Sequence, residues 1–320
     1  LTHNRYISIL SSSFAPLSNF VMKLVPTKWI MQILLGIDKR RAMPKFGFST
    51  FIKKANKFLA AQPKLKNPID KVAYFTDTYV NYNDHELGFA VLKFLRHNNI
   101  EVIVPRQRPA PLPAVVYGDI ETSRKDLQYN VEHLSKAVRQ GYKIICSEPS
   151  AALCLKEDLR FFVYSPDAKI VSENTSEFFD YLKNLINQNK LNPAKVLAGL
   201  TNPPPQGWGL NDKIFAHHSP CHLLAIEKKP ASIEILKELA GIEVEELNAG
   251  CCGIAGTFGM QKKNYELSIK IGGLLAERIE KSNADIILTE CSTCKMQIEH
   301  LTGKRVEHPI KILAKVCGLI

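Results

Sequence analysis

His217-His218-Ser219-Pro220-Cys221, Cys251-Cys252-Gly253 and Cys291-Ser292-Thr293-Cys294 hold five of the eight cysteines in a chain of 320 residues. Each group follows a short segment that reads as a strand: Lys213 to His217, Ile242 to Leu247 and Asp285 to Thr289. In a parallel α/β layer the carboxyl ends of such strands open onto one crevice, so the three groups can meet there. Five thiolates converging at one point make a soft-metal or iron–sulfur site. Buried or disulfide-bonded cysteines are the ordinary alternative, because free Cys packs well in cores. Adjacent Cys251-Cys252 opposite a Cys-x-x-Cys at a matching strand end is hard to explain by packing.

The surrounding pattern predicts the fold. From Val72 a regular alternation runs through a strand at Val72 to Phe75, a helix at Asp84 to Asn98 and a strand at Glu101 to Val104. A long helix follows at Ile120 to Gln140, then a strand at Tyr142 to Cys146 and a helix at Ser176 to Ile186. After the cysteine-bearing half begins, helices are expected at Ala231 to Ala240 and Gln261 to Ser282. Strands separated by helical patterns give βαβ units and parallel sheets. The expected class is α/β, with two pseudo-repeated parallel-sheet lobes preceded by an α-helical basic leader. The expected boundaries are a leader over 1–66, a first lobe over 67–197, a linker over 198–212 and a second lobe over 213–320.

The two lobes read as a repeat with an offset of about 143 residues. With an offset of 143 Cys221 falls on Thr78, Cys291 on Glu148 and Cys294 on Ala151, and with one of 142 Cys251 and Cys252 fall on Pro109 and Ala110. All five thiolate positions are blank in the first half. That lobe is therefore expected to shape the site without carrying a cofactor of its own.

The spacing carries a resemblance. One Cys, 29 intervening residues, Cys-Cys-Gly, then 38 residues between Cys252 and Cys291 of a Cys-x-x-Cys is similar to the CCG, or cysteine-rich, domain family. That family includes the B subunit of heterodisulfide reductase and the C subunit of anaerobic glycerol-3-phosphate dehydrogenase, and the resemblance to the second covers most of the chain. Phe75-Thr76-Asp77-Thr78-Tyr79-Val80-Asn81-Tyr82 looks like the family's first motif with its cysteine missing. Many members load both lobes, so this departure argues against a mechanism with two such clusters.

The resemblance implies one iron–sulfur cluster held by Cys221, Cys251, Cys252, Cys291 and Cys294. Four thiolates complete a 4Fe-4S cubane, and a fifth implies a non-cubane form. Zinc is the alternative metal, since four-thiolate zinc uses the same residues. Three functions follow. The first is an iron–sulfur electron-transfer subunit of a membrane-associated dehydrogenase, passing electrons from a flavin subunit towards quinone. The second is catalytic disulfide reduction of the heterodisulfide reductase kind. The third is a zinc-bound structural or interaction subunit. The first implies a flavin dehydrogenase subunit as partner. The glycerol-3-phosphate dehydrogenase subunit also carries two ferredoxin-type four-cysteine runs, which are not in these 320 residues; a ferredoxin-type iron–sulfur partner is expected to supply that wire.

The net charge is confined to the leader. Residues 1–66 hold twelve Lys or Arg against a single acid, Asp38, which accounts for the whole net charge of +11. Leu17 to Val25 is apolar, Pro26 breaks the run, and Thr27 is expected to cap a second helix with Trp29, Ile30, Ile33 and Leu34 on one face and Gly36 as its stop. Lys23, Pro26 and Lys28 interrupt the run too early for a spanning helix. A basic amphipathic pair with a Trp suits an anionic membrane surface or a quinone-linked partner; docking on protein is the competing reading. The clustered cysteines suggest a reducing compartment, and no secretory signal is visible. The expected location is the cytoplasm, with peripheral attachment to the inner face of the cell membrane through the leader.

The remaining candidates are assigned structural work. Cys146, Cys154 and Cys317 are expected in the core. His217, His218 and His222 are expected to pack beside the first ligand and support it by hydrogen bonds. Gly250, Gly253, Gly256 and Gly259 are expected to permit close backbone approach to a bulky cluster. No nucleic-acid module is present in the sequence, and no nucleic-acid partner is expected.

Overall fold

The computed structural model describes residues 4–191, 213–227 and 229–320, so the expected linker at 198–212 lies outside the described residues. The first lobe holds β1 (Asp70–Phe75), β2 (Ile100–Ile103), β3 (Lys143–Cys146) and β4 (Thr175–Glu177). The second holds β5 (Phe215–His217), β6 (Val244–Glu246), β7 (Ile286–Leu288) and β8 (Arg305–Glu307). The sheets have matching orders, β2-β1-β3-β4 and β6-β5-β7-β8, and all six pairings are parallel. Phe75 pairs with Cys146 at the end of β1, and His217 pairs with Leu288 at the end of β5. The repeat seen in the sequence is therefore a repeat of topology. The edge strands β4 and β8 were not anticipated: each is three residues long, too short for an alternation to show. The helix expected from Ser176 starts at Phe178, because Thr175–Glu177 pairs with β3.

The lobes share a core. The helix His85–His97 packs on Pro309–Val316, and the helix Phe178–Asn187 packs on Ala231–Ala240. Each first-lobe helix thus meets the counterpart of the other across a pseudo-two-fold axis. Tyr74, Phe94 and Phe178 from one lobe and Phe215, Leu236 and Ile310 from the other belong to a single apolar cluster. Each such side chain contributes about 1.5–3 kcal/mol of burial, so the interface is as apolar as a domain interior. Asp84 begins the helix His85–His97 by accepting from Leu87 N–H at 3.0 Å, a capping bond that satisfies one of the orphan donors of the first turn.

Three helices of the leader, Asn4–Ser13, Ala15–Val21 and Val25–Leu35, lie on the outside. The third was expected to start behind Pro26 with Thr27 as its cap; instead Leu24 is the N-cap and Pro26 sits in the first turn. Proline's missing N–H costs nothing there. Gly36 closes the helix with φ +68°, as the sequence suggested. Phe51–Ala60 differs in kind: Phe51 and Ala55 are fully buried, and the Phe51 ring meets Tyr74 edge-on with centroids 6.2 Å apart. That part of the leader is built into the first lobe. Among the described residues no helix is long and apolar enough to cross a membrane.

Candidate metal centre

β5 lies between β6 and β7, so the chain reverses its direction across the sheet at β5, and the crevice opens beyond its carboxyl end. Cys221 is the first residue of the helix Cys221–Ile226 that follows β5. Cys291 is the N-cap of the helix Ser292–Thr302 that follows β7, and Cys294 lies in its first turn. The turn after β6 passes through Asn248 and Gly250, at φ +48° and +74°, before Cys251-Cys252. The first lobe repeats this construction: Thr78 opens the helix Thr78–Tyr82, and Glu148 is the N-cap of Pro149–Leu153.

The structure brings Cys252 and Cys294 together beside His218, with Cys221, Cys251 and Cys291 on the neighbouring turn and helix starts. Cys252 Sγ lies 3.3 Å from Cys294 Sγ, and these two atoms and a ring nitrogen of His218 all lie within 4.8 Å of one another, all three residues buried. Cys291 is buried, with its sulfur 3.2 Å from Thr293 Oγ1. Cys221 and Cys251 are exposed at the rim, and Cys251 Sγ accepts from Gly253 N–H at 3.3 Å.

The thiols act on one another's protons. Hydrogen bonds from Cys251 and then Cys294 hold Cys252 far below an ordinary thiol, in spite of its burial. The bond to Cys252 raises Cys251, and bonds to Cys252 and Cys291 raise Cys294. The bond from Cys294 brings Cys291 down to about 6. Burial raises Cys221, followed by the charges of Cys291 and Cys252. Such a set ionises fully only beside a cation of its own, and sulfur donors with one imidazole select a soft metal or an iron–sulfur centre.

The histidines divide. His217 is buried with Nε2 3.0 Å from both carboxylate oxygens of Glu290, the supporting role expected of it. Burial alone would raise Glu290, and the His217 interaction outweighs it, leaving the carboxyl below its ordinary value. His222 Nδ1 lies 2.8 Å from Ser150 Oγ of the first lobe. His218 goes beyond the expected supporting role. Its ring stands among the thiols, and its Nε2 is buried with no hydrogen-bond partner among the described residues. Its position directly after the β5 strand end, three residues before Cys221, was the available signal.

Two of the four glycines pack on protein. A Cβ on Gly253, where φ is +86°, would stand 2.3 Å from Ser268 O, and one on Gly259 would stand 2.4 Å from Ser268 Oγ. The close approach these two permit is to the helix Tyr265–Lys281, which the Cys251–Gly259 turn lies against. Glu148 Oε2 accepts from Ser292 N–H and Oγ, so the first lobe walls the site at Cys291. Cys146, Cys154 and Cys317 are buried in the cores, as expected, and away from the five.

Residues 215–299 match the family described as a cysteine-rich domain. The C subunit of anaerobic glycerol-3-phosphate dehydrogenase from Escherichia coli K12 is 32% identical over 98% of this chain and 76% of its own length. The B subunit of fumarate reductase (CoM/CoB) from Methanothermobacter marburgensis is 25% identical over 78% of this chain and 45% of that one. An uncharacterized iron–sulfur protein of Methanococcus maripaludis is 24% identical over 89% of this chain and 51% of its own.

Proposed function

The chain belongs to the cysteine-rich-domain family that includes the C subunit of anaerobic glycerol-3-phosphate dehydrogenase, and from that premise we propose that it is an iron–sulfur electron-transfer subunit of a membrane-associated dehydrogenase complex. One cluster of the 4Fe-4S class is held by Cys221, Cys251, Cys252, Cys291 and Cys294, and the fifth thiolate favours a non-cubane form. The observation that supports this reading is the approach of Cys252 Sγ to Cys294 Sγ, 3.3 Å apart, with Cys221 and Cys291 at the helix starts that follow β5 and β7. When bound, the cluster takes up and gives back electrons at a potential set by its charge, hydrogen bonds and exposure.

The chain's own residues set those terms. Cys252, Cys291 and Cys294 are buried, which lowers the local dielectric, while Cys221 and Cys251 stand at the rim where a partner can approach. The first-lobe turn at Glu148 and Ser150 shields the inner side. A flavin-bearing subunit is the electron donor and a ferredoxin-type protein the intermediate carrier. The acceptor is quinone or a quinone-linked partner on the side of the leader.

A second reading has support from the fumarate reductase (CoM/CoB) relative and from the two rim cysteines. In it the same cysteines hold a cluster that passes two electrons, drawn from a donor subunit, to a disulfide substrate. Anaerobic purification, an iron count and a visible spectrum test both readings. Broad absorbance near about 400 nm is expected of a cluster. A colourless protein with stoichiometric zinc sinks both. If Cys251→Ser and Cys252→Ser each keep wild-type iron and spectrum, the five-ligand assignment is wrong.

A further inference from the structure

Residues 36–41 tie the leader to the cysteine-bearing lobe. Ile37 and Gln261 form an isolated antiparallel bridge, Asp38 N–H donates to Met260 O at 2.9 Å, and Lys262 N–H donates to Gly36 O at 2.8 Å. Arg41 then turns inward and is only 3% exposed. Its guanidinium donates to three neutral oxygens: Nε to Gly259 O at 2.9 Å, Nη2 to Ser268 Oγ at 2.8 Å and Nη1 to Gln297 Oε1. Asp38 is within its electrostatic reach, but Arg40 Nε and Nη2 already fork that carboxylate at 2.9 Å.

The centre of the Tyr265 ring also lies 4.6 Å from Arg41 Cζ, but neither it nor the three oxygens carries a full negative charge. A guanidinium does not shed its proton in a protein, and a buried charge with no counter-charge costs several kcal/mol. A compensating negative charge is therefore called for. The acceptors around Arg41 point to it. Gly259 closes the turn that carries Cys251 and Cys252, and Gln297 lies one helical turn beyond Cys294. Ser268 is the residue against which Gly253 packs, and Cys252 itself is within electrostatic reach of the guanidinium.

We propose that Arg41 is the counter-cation of the cysteine-bound centre, a permanent positive charge that favours the reduced, more negative state and so raises its reduction potential. The inference rests on the iron–sulfur reading above. Arg41 is a positioning residue as well, since its three hydrogen bonds brace the Cys251–Gly259 turn. The two roles separate by substitution. Arg41→Lys keeps the charge and loses the planar fork; Arg41→Gln loses the charge and keeps a polar side chain. They also separate by sign. Removing a cation makes an anionic cluster harder to reduce, whereas loosening the turn admits water, which solvates the more negative state and makes reduction easier.

The test uses the full chain, purified anaerobically as wild type, Arg41→Gln and Arg41→Lys. Bound iron is counted, and the midpoint potential is followed by visible absorbance during a mediated redox titration. Arg41→Gln is expected to shift the potential in the negative direction. At the wild-type midpoint its reduced-to-oxidised ratio falls on the order of tenfold, which is about 59 mV for a one-electron couple. Arg41→Lys recovers most of that shift. If Arg41→Gln instead loses its iron, retention by Arg41→Lys supports the charge role and loss by both overturns it. An unchanged or more positive potential in Arg41→Gln also overturns it, as does a lysine variant no better than the glutamine one. Wild-type protein that binds no iron defeats the cluster reading itself, before Arg41 is tested.

Discussion

Glu148 Oε2 accepts hydrogen bonds from Ser292 N–H at 2.9 Å and from Ser292 Oγ at 2.7 Å, across the boundary between the lobes. Under the repeat, Glu148 is the counterpart of Cys291, the residue next to Ser292. The position that lost a thiolate in one lobe has become an acceptor for the helix start that carries it in the other. Burial first, and then the charge of Cys291, raise the Glu148 carboxyl well above its ordinary value.

Glu148→Ala is therefore expected to cost stability and not metal. It leaves the half-buried Ser292 N–H and Oγ without their acceptor, at the low end of about 1–3 kcal/mol, seen as a lower midpoint in urea. Glu148→Gln keeps an acceptor oxygen and costs less. Both variants should retain one cluster per chain by iron analysis. Loss of iron in Glu148→Ala, or a second metal in the wild type bound at Glu148, would show that the first lobe does more than wall the site.

Asp77 gives a pH-dependent expectation. It is buried, and it caps the helix Thr78–Tyr82 by accepting from Tyr79 N–H at 2.8 Å and Val80 N–H at 3.1 Å. Burial pushes its carboxyl up from 3.8 to about 6, against those bonds. A carboxyl raised on folding favours the fold fully below its unfolded value, and that advantage is lost as pH rises through the folded one. Asp77→Asn keeps a capping oxygen and has no charge to bury. Relative to wild type it should gain stability between about pH 4 and pH 6, reaching at most about 3 kcal/mol above that range. A stability difference that stays flat from pH 4 to pH 7 would reject the assignment.

Much of this architecture could be read in the chain. β5 and β7 were legible as short apolar runs, and β6 as an alternation of apolar residues and Glu, each shortly before a cysteine group, and the 143-residue offset was legible because the strands and helices recur in order. β4 and β8 were not, since three residues at a sheet edge carry no period. The long-range polar contacts were also hidden. Glu148 and Ser292 are 144 positions apart, and Arg41 meets its acceptors 218 to 256 positions away. Such pairs follow from how the lobes and the leader dock. Local patterns specify which helix faces are apolar and leave the choice of facing helix to the packing of the whole.

His217 and His218 are neighbours with opposite expectations. His217 Nε2 stands 3.0 Å from both Glu290 oxygens in a fully buried pair, and removing it leaves a buried polar group without its partner, about 1–3 kcal/mol. His217→Ala should thus fold poorly or melt early. His218 has no such partner, and its ring faces Cys252 and Cys294. His218→Ala should stay folded while altering the visible spectrum or lowering the bound iron. An unchanged spectrum and iron content in that variant would return His218 to a packing role.

The outer leader helices present an apolar face that the described residues leave uncovered. Phe20 is 63% exposed, Ile33 76% and Leu34 74%, and the Lys39 Nζ stands 3.5 Å from the centre of the Trp29 ring. Residues 4–35 carry Arg5, Lys23 and Lys28 and no acid. A large exposed apolar surface marks an interaction site, and this charge balance favours an anionic membrane surface, to which each basic residue near it contributes about 1 kcal/mol. Flotation with vesicles containing phosphatidylserine should recover the protein at low salt and lose it as salt rises. Ile33→Asp with Leu34→Asp should abolish flotation without unfolding the chain, since neither side chain is buried. Deleting all of residues 1–66 is the wrong variant, because it also removes Arg41 and the buried Phe51. Equal flotation by wild type and the double variant, or recovery only with a partner protein present, would assign this face to protein docking and not to lipid.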